Sequence, residues 1–316
     1  PKKLSAAMKR FRGPNTKHEL YTRFRYSPVK GLGYDPTVHR RDPSSIIKVD
    51  DTYFIWYTHC TDTKSQWLNA DLYYATSKDG VNWTEHGPAV DRGPRGWWDD
   101  YSVFTCNILV AEGKYYLVYQ AERMPEDRTT AEANVVGMAR ANSPHGPWTK
   151  LKEPILRPSD DALVEGDFSD RRTLKVIELG SFDSSAVHDP GIVVFGGKYY
   201  LYYKGHGYIH DSGSGFGTTT HPADTKWGVA IADRPEGPYV KSEFNALMNS
   251  GHEVWMYPWK TGFAALVDFA GPEAHTAQYS EDGINFYPVC ALVDLPPAGG
   301  AYIAEMFADN KDGRGF

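Results

Sequence analysis

A chain of 316 residues, 41% hydrophobic and 14% aromatic, can bury a large core and needs no second folding unit to do so. Its net charge of −6 is divided unevenly: residues 1–30 hold nine Lys and Arg against the single acid Glu19, leaving −6 − 8 = −14 on the rest, which argues against nucleic acid or any other polyanion as substrate. No apolar run approaches the roughly 20 residues of a membrane helix, no signal-peptide pattern is present, and Cys60, Cys106 and Cys290 are spaced neither for zinc nor for a disulfide framework, so buried thiols are expected.

At the N-terminus, Leu4, Met8 and Phe11 fall at i, i+4 and i+7, and Leu20, Tyr21 and Phe24 form a second apolar stripe. Gly13-Pro14-Asn15-Thr16 lies between the stripes as breaker and cap. The pattern predicts a short helical hairpin over residues 1–30, distinct from a domain over 31–316. So small a helix pair needs a partner for its apolar face, and the expected partner is a second copy of the chain, giving a homodimer.

Beyond residue 30 one strand phrase recurs. Thr52-Tyr53-Phe54-Ile55-Trp56-Tyr57, Lys114-Tyr115-Tyr116-Leu117-Val118-Tyr119 and Lys198-Tyr199-Tyr200-Leu201-Tyr202-Tyr203 share the aromatic and branched residues that pleated sheets favour, and a fainter copy starts at Lys260. Each is followed by a second strand and a turn: Asp79-Gly80 and Asp282-Gly283 in the first and fourth copies, Pro144-His145-Gly146-Pro147 and Pro235-Glu236-Gly237-Pro238 in the second and third. The starts lie 114 − 52 = 62, 198 − 114 = 84 and 260 − 198 = 62 residues apart, too irregular for a solenoid and suited to blades with variable outer loops. The expected fold is an all-β, five-bladed β-propeller. From Gly299 onward there is room for only one or two strands of the fifth blade, so either further residues or another segment of the chain is expected to complete it.

The strand preceding each phrase lines the channel of such a fold. Asp42 stands ten residues before Thr52, Thr105 nine before Lys114, Asp189 nine before Lys198 and Glu253 seven before Lys260. These four are expected to ring one channel mouth. An Asp-Pro at a strand start is by itself a turn device. Three acids at one repeat position, with His252 beside Glu253, point instead to a site.

The segments Arg40-Arg41-Asp42-Pro43-Ser44, Val103-Phe104-Thr105, Val118-Tyr119-Gln120, Gly180-Ser181-Phe182-Asp183-Ser184, Val187-His188-Asp189-Pro190, Tyr202-Tyr203-Lys204-Gly205, Gly228-Val229-Ala230-Ile231-Ala232-Asp233 and Asn249-Ser250-Gly251-His252-Glu253-Val254 resemble glycoside hydrolase family 117, the 3,6-anhydro-L-galactosidases also called neoagarobiose hydrolases. The resemblance implies a five-bladed propeller preceded by a helical segment exchanged between two subunits. It also implies exo-type inverting hydrolysis of an α-1,3 bond, releasing 3,6-anhydro-L-galactose from the non-reducing end of agar oligosaccharides. Asp42 then corresponds to the general base, Asp189 to the acid that orients sugar and tunes its neighbours, Glu253 to the third catalytic carboxylate and His252 to the proton donor. Thr105, Gln120 and His188 correspond to sugar-contacting positions. No cofactor or metal is implied, and both periplasm and cytoplasm remain open as compartments. The chain departs from the family pattern over Gly33-Tyr34-Asp35-Pro36-Thr37-Val38-His39 and in the loop from Gly205 to Thr225.

Inverting hydrolysis needs an acid at the leaving oxygen and a base across the ring, about 6.5–9.5 Å apart, which separate blades can supply. Glu253 itself qualifies as the acid if burial raises its pKa. Neighbours on a strand point to opposite faces, so His252 and Glu253 reach one sugar only if the chain bends, and Gly251 supplies a place for it. Other residues have plainer readings. Asp99-Asp100 reads as a solvated loop, Trp97, Trp98, Trp255 and Trp259 as sugar platforms or blade packing, and His206, His210 and His221 as part of a mobile lid. Two other functions compete: a family 43-like arabinanase or xylosidase, with acids in blades one, three and four, and a catalytically inactive sugar-binding propeller.

Overall fold

The computed structural model describes residues 3, 5, 15–62, 65–129, 134–170, 173–208 and 226–295. They form four antiparallel sheets in sequence order. The first contains β1 (His39–Arg41) and β2 (Ile47–Val49), both paired with β3 (Thr52–Cys60), followed by β4 (Asp71–Ser77) and β5 (Trp83–Val90). The second runs β6 (Ser102–Ala111), β7 (Lys114–Glu122), β8 (Asn134–Ala141) and β9 (Thr149–Lys150). A small hairpin, β10 (Leu163–Glu165) and β11 (Lys175–Glu178), precedes the third sheet of β12 (Ala186–Phe195), β13 (Lys198–His206), β14 (Lys226–Ala232) and β15 (Val240–Lys241). The fourth consists of β16 (Val254–Trp259), β17 (Gly262–Val267), β18 (Thr276–Ser280) and β19 (Tyr287–Ala291). First strands pack on one another, β6 on β12 and β12 on β16, which is the arrangement of propeller blades around a channel.

The recurring phrase is the second strand of each blade. Two-residue turns feed it: Asp50-Asp51, Glu112-Gly113, Gly196-Gly197 and Lys260-Thr261. Each turn opens with a residue of positive φ (52°, 49°, 58° and 53°), as tight hairpins require. The fourth copy therefore begins at Gly262 and not at Lys260. Aromatic residues of the four phrases fill the gaps between blades: Trp56, Tyr119, Tyr202 and Phe263 join one continuous core with Ile108, Leu117 and Val193. At the outer turns of blades one and four, Asp79 and Asp282 each accept main-chain N–H bonds from the residues two and three further on, at 2.8–2.9 Å. All three cysteines are buried thiols.

Two expectations about the ends need correction or lie beyond view. Residues 15–30 contain no helix; they run as turns and extended chain, with Arg23 bridging to Val293 and Lys30 to Asn82. Leu20 is buried in its own chain against Tyr257, Ala264 and Leu292 of the fourth blade, and Phe24 meets Trp255 edge to face. The helical spacing of Leu20 and Phe24 thus reflects two contacts on one blade surface. Leu4, Met8 and Phe11 fall outside the described residues, as does the segment from Gly299 assigned to a fifth blade, and four blades are described. No described helix is long and apolar enough to cross a membrane.

Candidate active site

Three first strands carry the same irregularity at the same repeat position. Asp42, Thr105 and Asp189 have φ of 48°, 39° and 47°, a left-handed conformation that costs a side-chain-bearing residue about 1–2 kcal/mol. The ladder is broken at each: between Phe104 and Cys106, between His188 and Gly191, and between β1 and β2. A bulge of this kind turns one extra residue out of the pleat and re-aims its side chain. In the fourth blade the bend is supplied by Gly251, at φ 88°, whose carbonyl accepts the Trp227 indole N–H at 2.9 Å. The bend brings His252 and Glu253 to the same side, with His252 Nε2 3.7 Å from Glu253 Oε1.

These residues converge. Asp42 is held by Arg41 Nε at 2.8 Å and lies 3.5 Å from the Thr105 hydroxyl. The charges of Asp42 and Asp189 both act on Glu253. Asp189 is ion-paired with the buried ammonium of Lys204. His188 and Gln120 are buried and bonded to each other at 2.8 Å, with Gln120 also donating to Asn134 at 3.0 Å; His206, at the end of β13, faces the His188 ring at 4.3 Å. Beside Arg41 opens a cavity of about 250 Å³, lined in part by Tyr34, His39 and Gln66, within the stretch where the sequence leaves the family pattern.

Electrostatics divide the labour among these groups. Burial, reinforced by the charge of Asp189, pushes the Glu253 carboxyl well above its ordinary value, favouring its protonated form. Burial followed by the charge of Lys204 lowers His252 to about 4, leaving a neutral imidazole. For Lys204 burial favours the uncharged amine, but Asp189 and Glu253 outweigh it and raise the pKa, so the ammonium persists. Burial raises Asp268 to about 7. The two neighbours are thus shifted in opposite directions: the protonated form is favoured at Glu253, whereas His252 lacks the proton its expected role demands near neutrality.

A second ring lies behind the first. Counting from the turn, the seventh residue of each second strand or its extension is Thr58, Gln120, Lys204 and Asp268, all buried. Thr58 Oγ1 accepts the Thr105 N–H at 2.9 Å, Gln120 meets His188, Lys204 Nζ donates to the His252 carbonyl at 3.2 Å, and Asp268 Oδ1 accepts the Glu253 N–H at 2.8 Å. The first three reach the following blade. Of this ring only Gln120 was expected at the site; the shared seventh position in the phrase was the available signal, obscured in the fourth copy by the misplaced turn.

Several of the remaining candidates have structural contacts. Asp99 and Asp100 are not solvated: Asp99 is fully buried, paired with Lys150 at 2.7 Å and reached by the Tyr119 hydroxyl at 3.5 Å. Blade three repeats this device with Asp183, Lys241 and Tyr203. Trp98 stacks on Tyr119, Trp255 meets Phe24 and Trp259 packs in the fourth blade, while Trp97 is 41% exposed. His210 and His221 fall outside the described residues.

Comparison with known proteins agrees with this geometry. The family model described as Glycosyl hydrolases family 43 matches residues 35–165, the span of the first two blades. No curated protein matches the chain. A solved structure described only as a glycoside hydrolase is 12% identical, over 90% of this chain and 82% of its own, with a TM-score of 0.57, a likeness of fold alone. A family 117 glycoside hydrolase produced by the marine bacterium Zobellia galactanivorans is 33% identical over 94% of this chain and 82% of that one, with a TM-score of 0.72. With one fold, matched along nearly its whole length at that identity, this chain belongs to glycoside hydrolase family 117.

Proposed function

We propose that this family 117 hydrolase is an exo-acting, inverting α-1,3-(3,6-anhydro)-L-galactosidase that releases the terminal anhydro sugar from agar oligosaccharides such as neoagarobiose. The observation that carries the reading is the contrast between Glu253, half-buried with its protonated form favoured, and Asp42, on another blade and paired with Arg41. Glu253 gives its proton to the glycosidic oxygen as the C–O bond breaks. Asp42 takes a proton from the water that attacks the opposite face of the ring, so the configuration inverts. Asp189 orients the sugar, and its charge helps to keep Glu253 protonated until the leaving oxygen takes the proton. Thr105, beside Asp42, contributes a hydroxyl to the same mouth. Gln120 and His188 contact sugar through whichever edges face the channel, and His252 lines the sugar beside Glu253 as a neutral ring.

The wider assembly belongs to the same reading: residues 1–30 join two subunits. Incubation with a panel of neoagaro-oligosaccharides and aryl pentosides, followed by proton NMR of the first-formed anomer, tests the chemistry. Release of 3,6-anhydro-L-galactose with inverted configuration is expected. Turnover of arabinosides or xylosides alone would move the protein to a family 43-like activity, and binding without turnover would make it a sugar-binding propeller.

A further inference from the structure

The peptide group joining His252 to Glu253 is gripped on both sides by buried ionisable side chains. Its carbonyl oxygen accepts from Lys204 Nζ at 3.2 Å, and its N–H donates to Asp268 Oδ1 at 2.8 Å. Lys204 and Asp268 are 3% and 2% exposed, and each is the seventh residue counted from its blade's hairpin turn. Burying such groups is costly unless each is paired, so two of them converging on one main-chain amide call for an explanation beyond packing. Ordinary sheet bonds flank the grip, from His252 N–H to the Phe269 carbonyl at 2.8 Å and from Asp268 N–H to the Glu253 carbonyl at 3.2 Å, yet neither fixes the plane of the 252–253 peptide. That plane sets the direction in which the Glu253 side chain leaves the backbone. Gly251 makes the segment pliable just before it.

We propose that Lys204 and Asp268 are positioning residues that clamp the His252–Glu253 peptide and so aim Glu253 at the leaving oxygen. Lys204 also pairs with Asp189, so the clamp ties the third blade's carboxylate to the fourth blade's proton donor. One cation thereby sets the relative placement of two acids from different blades. The inference rests on Glu253 being the proton donor of the proposed hydrolysis. Its geometric half, the clamp itself, does not depend on any substrate.

Two sets of variants test it. Asp268→Leu removes the acceptor, whereas Asp268→Asn keeps an oxygen at the same place. Loss of aim is expected to lower kcat on neoagarobiose about 10–100-fold with little change in KM, and to slow an aryl 3,6-anhydro-L-galactoside much less, because an activated leaving group departs without protonation. Asn is expected to restore most of the turnover lost with Leu. Glu253 faces Asp189 and Lys204 of the third blade, Asp42 of the first, and Asp268 and His252 of its own. Lys204→Met withdraws the one cation acting on it, so the basic limb of the pH profile should move to higher pH, while Lys204→Arg should leave that limb in place. Equal slowing of both substrates, no rescue by Asn, or an unmoved limb in Lys204→Met would overturn the assignment.

A readout free of turnover separates this idea from the functional one. In 15N TROSY spectra of the full chain, the Glu253 amide proton should lie downfield and move upfield with Asp268→Leu but not with Asp268→Asn. If the wild-type protein turns over none of the oligosaccharides, the activity reading fails while this shift still decides the clamp. An unmoved Glu253 amide disproves the clamp whatever the enzyme does. Should Asp268→Leu fail to fold by circular dichroism, the Lys204 pair carries the same decision through the pH limb and the same amide resonance.

Discussion

At the residue scale, the proposed hydrolysis asks one carboxyl to give a proton and another to accept one. Replacing Asp42 by Asn preserves shape and hydrogen bonds to Arg41 and Thr105 but removes the carboxylate proposed as base. Turnover is expected to fall by about 10²–10⁴-fold with sugar binding largely retained, measured by steady-state kinetics beside calorimetric titration. His252 gives the opposite pattern. Burial and Lys204 lower it to about 4, so it carries no proton to donate at pH 7. His252→Ala should therefore slow natural and aryl glycosides alike, and selective slowing of the natural substrate would return the acid role to the imidazole. The acids were legible because Asp42, Asp189 and Glu253 recur at one repeat position. Lys204 and Asp268 were not, because a lysine at the end of an aromatic strand and an aspartate after Leu266-Val267 look like solvent-facing ends until three-dimensional packing buries them.

Elements carry the site through their defects as much as through their regularity. The second strands could be read from their aromatic phrase, whereas the bulges at Thr105 and Asp189 could not, since nothing in Val103-Phe104-Thr105 or Val187-His188-Asp189 demands a positive φ. The turn Lys260-Thr261 escaped notice for a related reason. The other hairpins turn on Asp, Glu and Gly, and a lysine of positive φ is a poor sequence signal for a turn. The bend at Gly251 is testable in this setting. A Cβ there would stand 2.5 Å from Val254 Cγ2 and 2.9 Å from Val267 Cγ1, at a φ of 88° that L side chains rarely adopt. Gly251→Ala should destabilise the fold by about 1–3 kcal/mol, read from denaturant titration, and should lower kcat in the fraction that folds. A neutral substitution would mean the segment has room that the packed valines do not show.

Across the whole molecule, the blades are coupled in one direction around the channel. Thr58 reaches Thr105, Gln120 reaches His188 and Lys204 reaches His252, so each of the first three blades seats a mouth residue of the next. This blade-to-blade dependence was invisible in the sequence because it joins residues 47–68 positions apart, by the subtractions 105 − 58 = 47, 188 − 120 = 68 and 252 − 204 = 48. The N-terminal stripe misled for the converse reason: Leu20 and Phe24 have helical spacing but are buried by tertiary contact with the fourth blade. Leu20 is thus satisfied within its own chain. A dimer through residues 1–30 must then draw on the segment before Asn15 or on exposed Tyr26 and Val29. Light scattering of the intact chain should give twice the mass of a chain lacking residues 1–14, and a monomeric intact protein would refute the pairing.

The crowding of carboxyls in the mouth also sets a trade-off between durability and work. The folded protein holds the Asp268 proton up to about pH 7, while the unfolded chain releases it near 3.8, and Glu253 behaves likewise above its ordinary 4.5. Folded-state pKa values raised in this way contribute stability that is complete below the unfolded values and drains away as pH rises through the folded ones. Between about pH 4 and 7 the protein should become progressively less heat-resistant, as read from melting temperatures across that range. Glu253→Gln removes one of these titrations and should melt at a higher temperature than the wild type, with the gap widening as pH rises, while hydrolysing nothing that needs a proton. The toughest form of this protein would be an inert one, so a screen for thermal endurance alone would select against its chemistry.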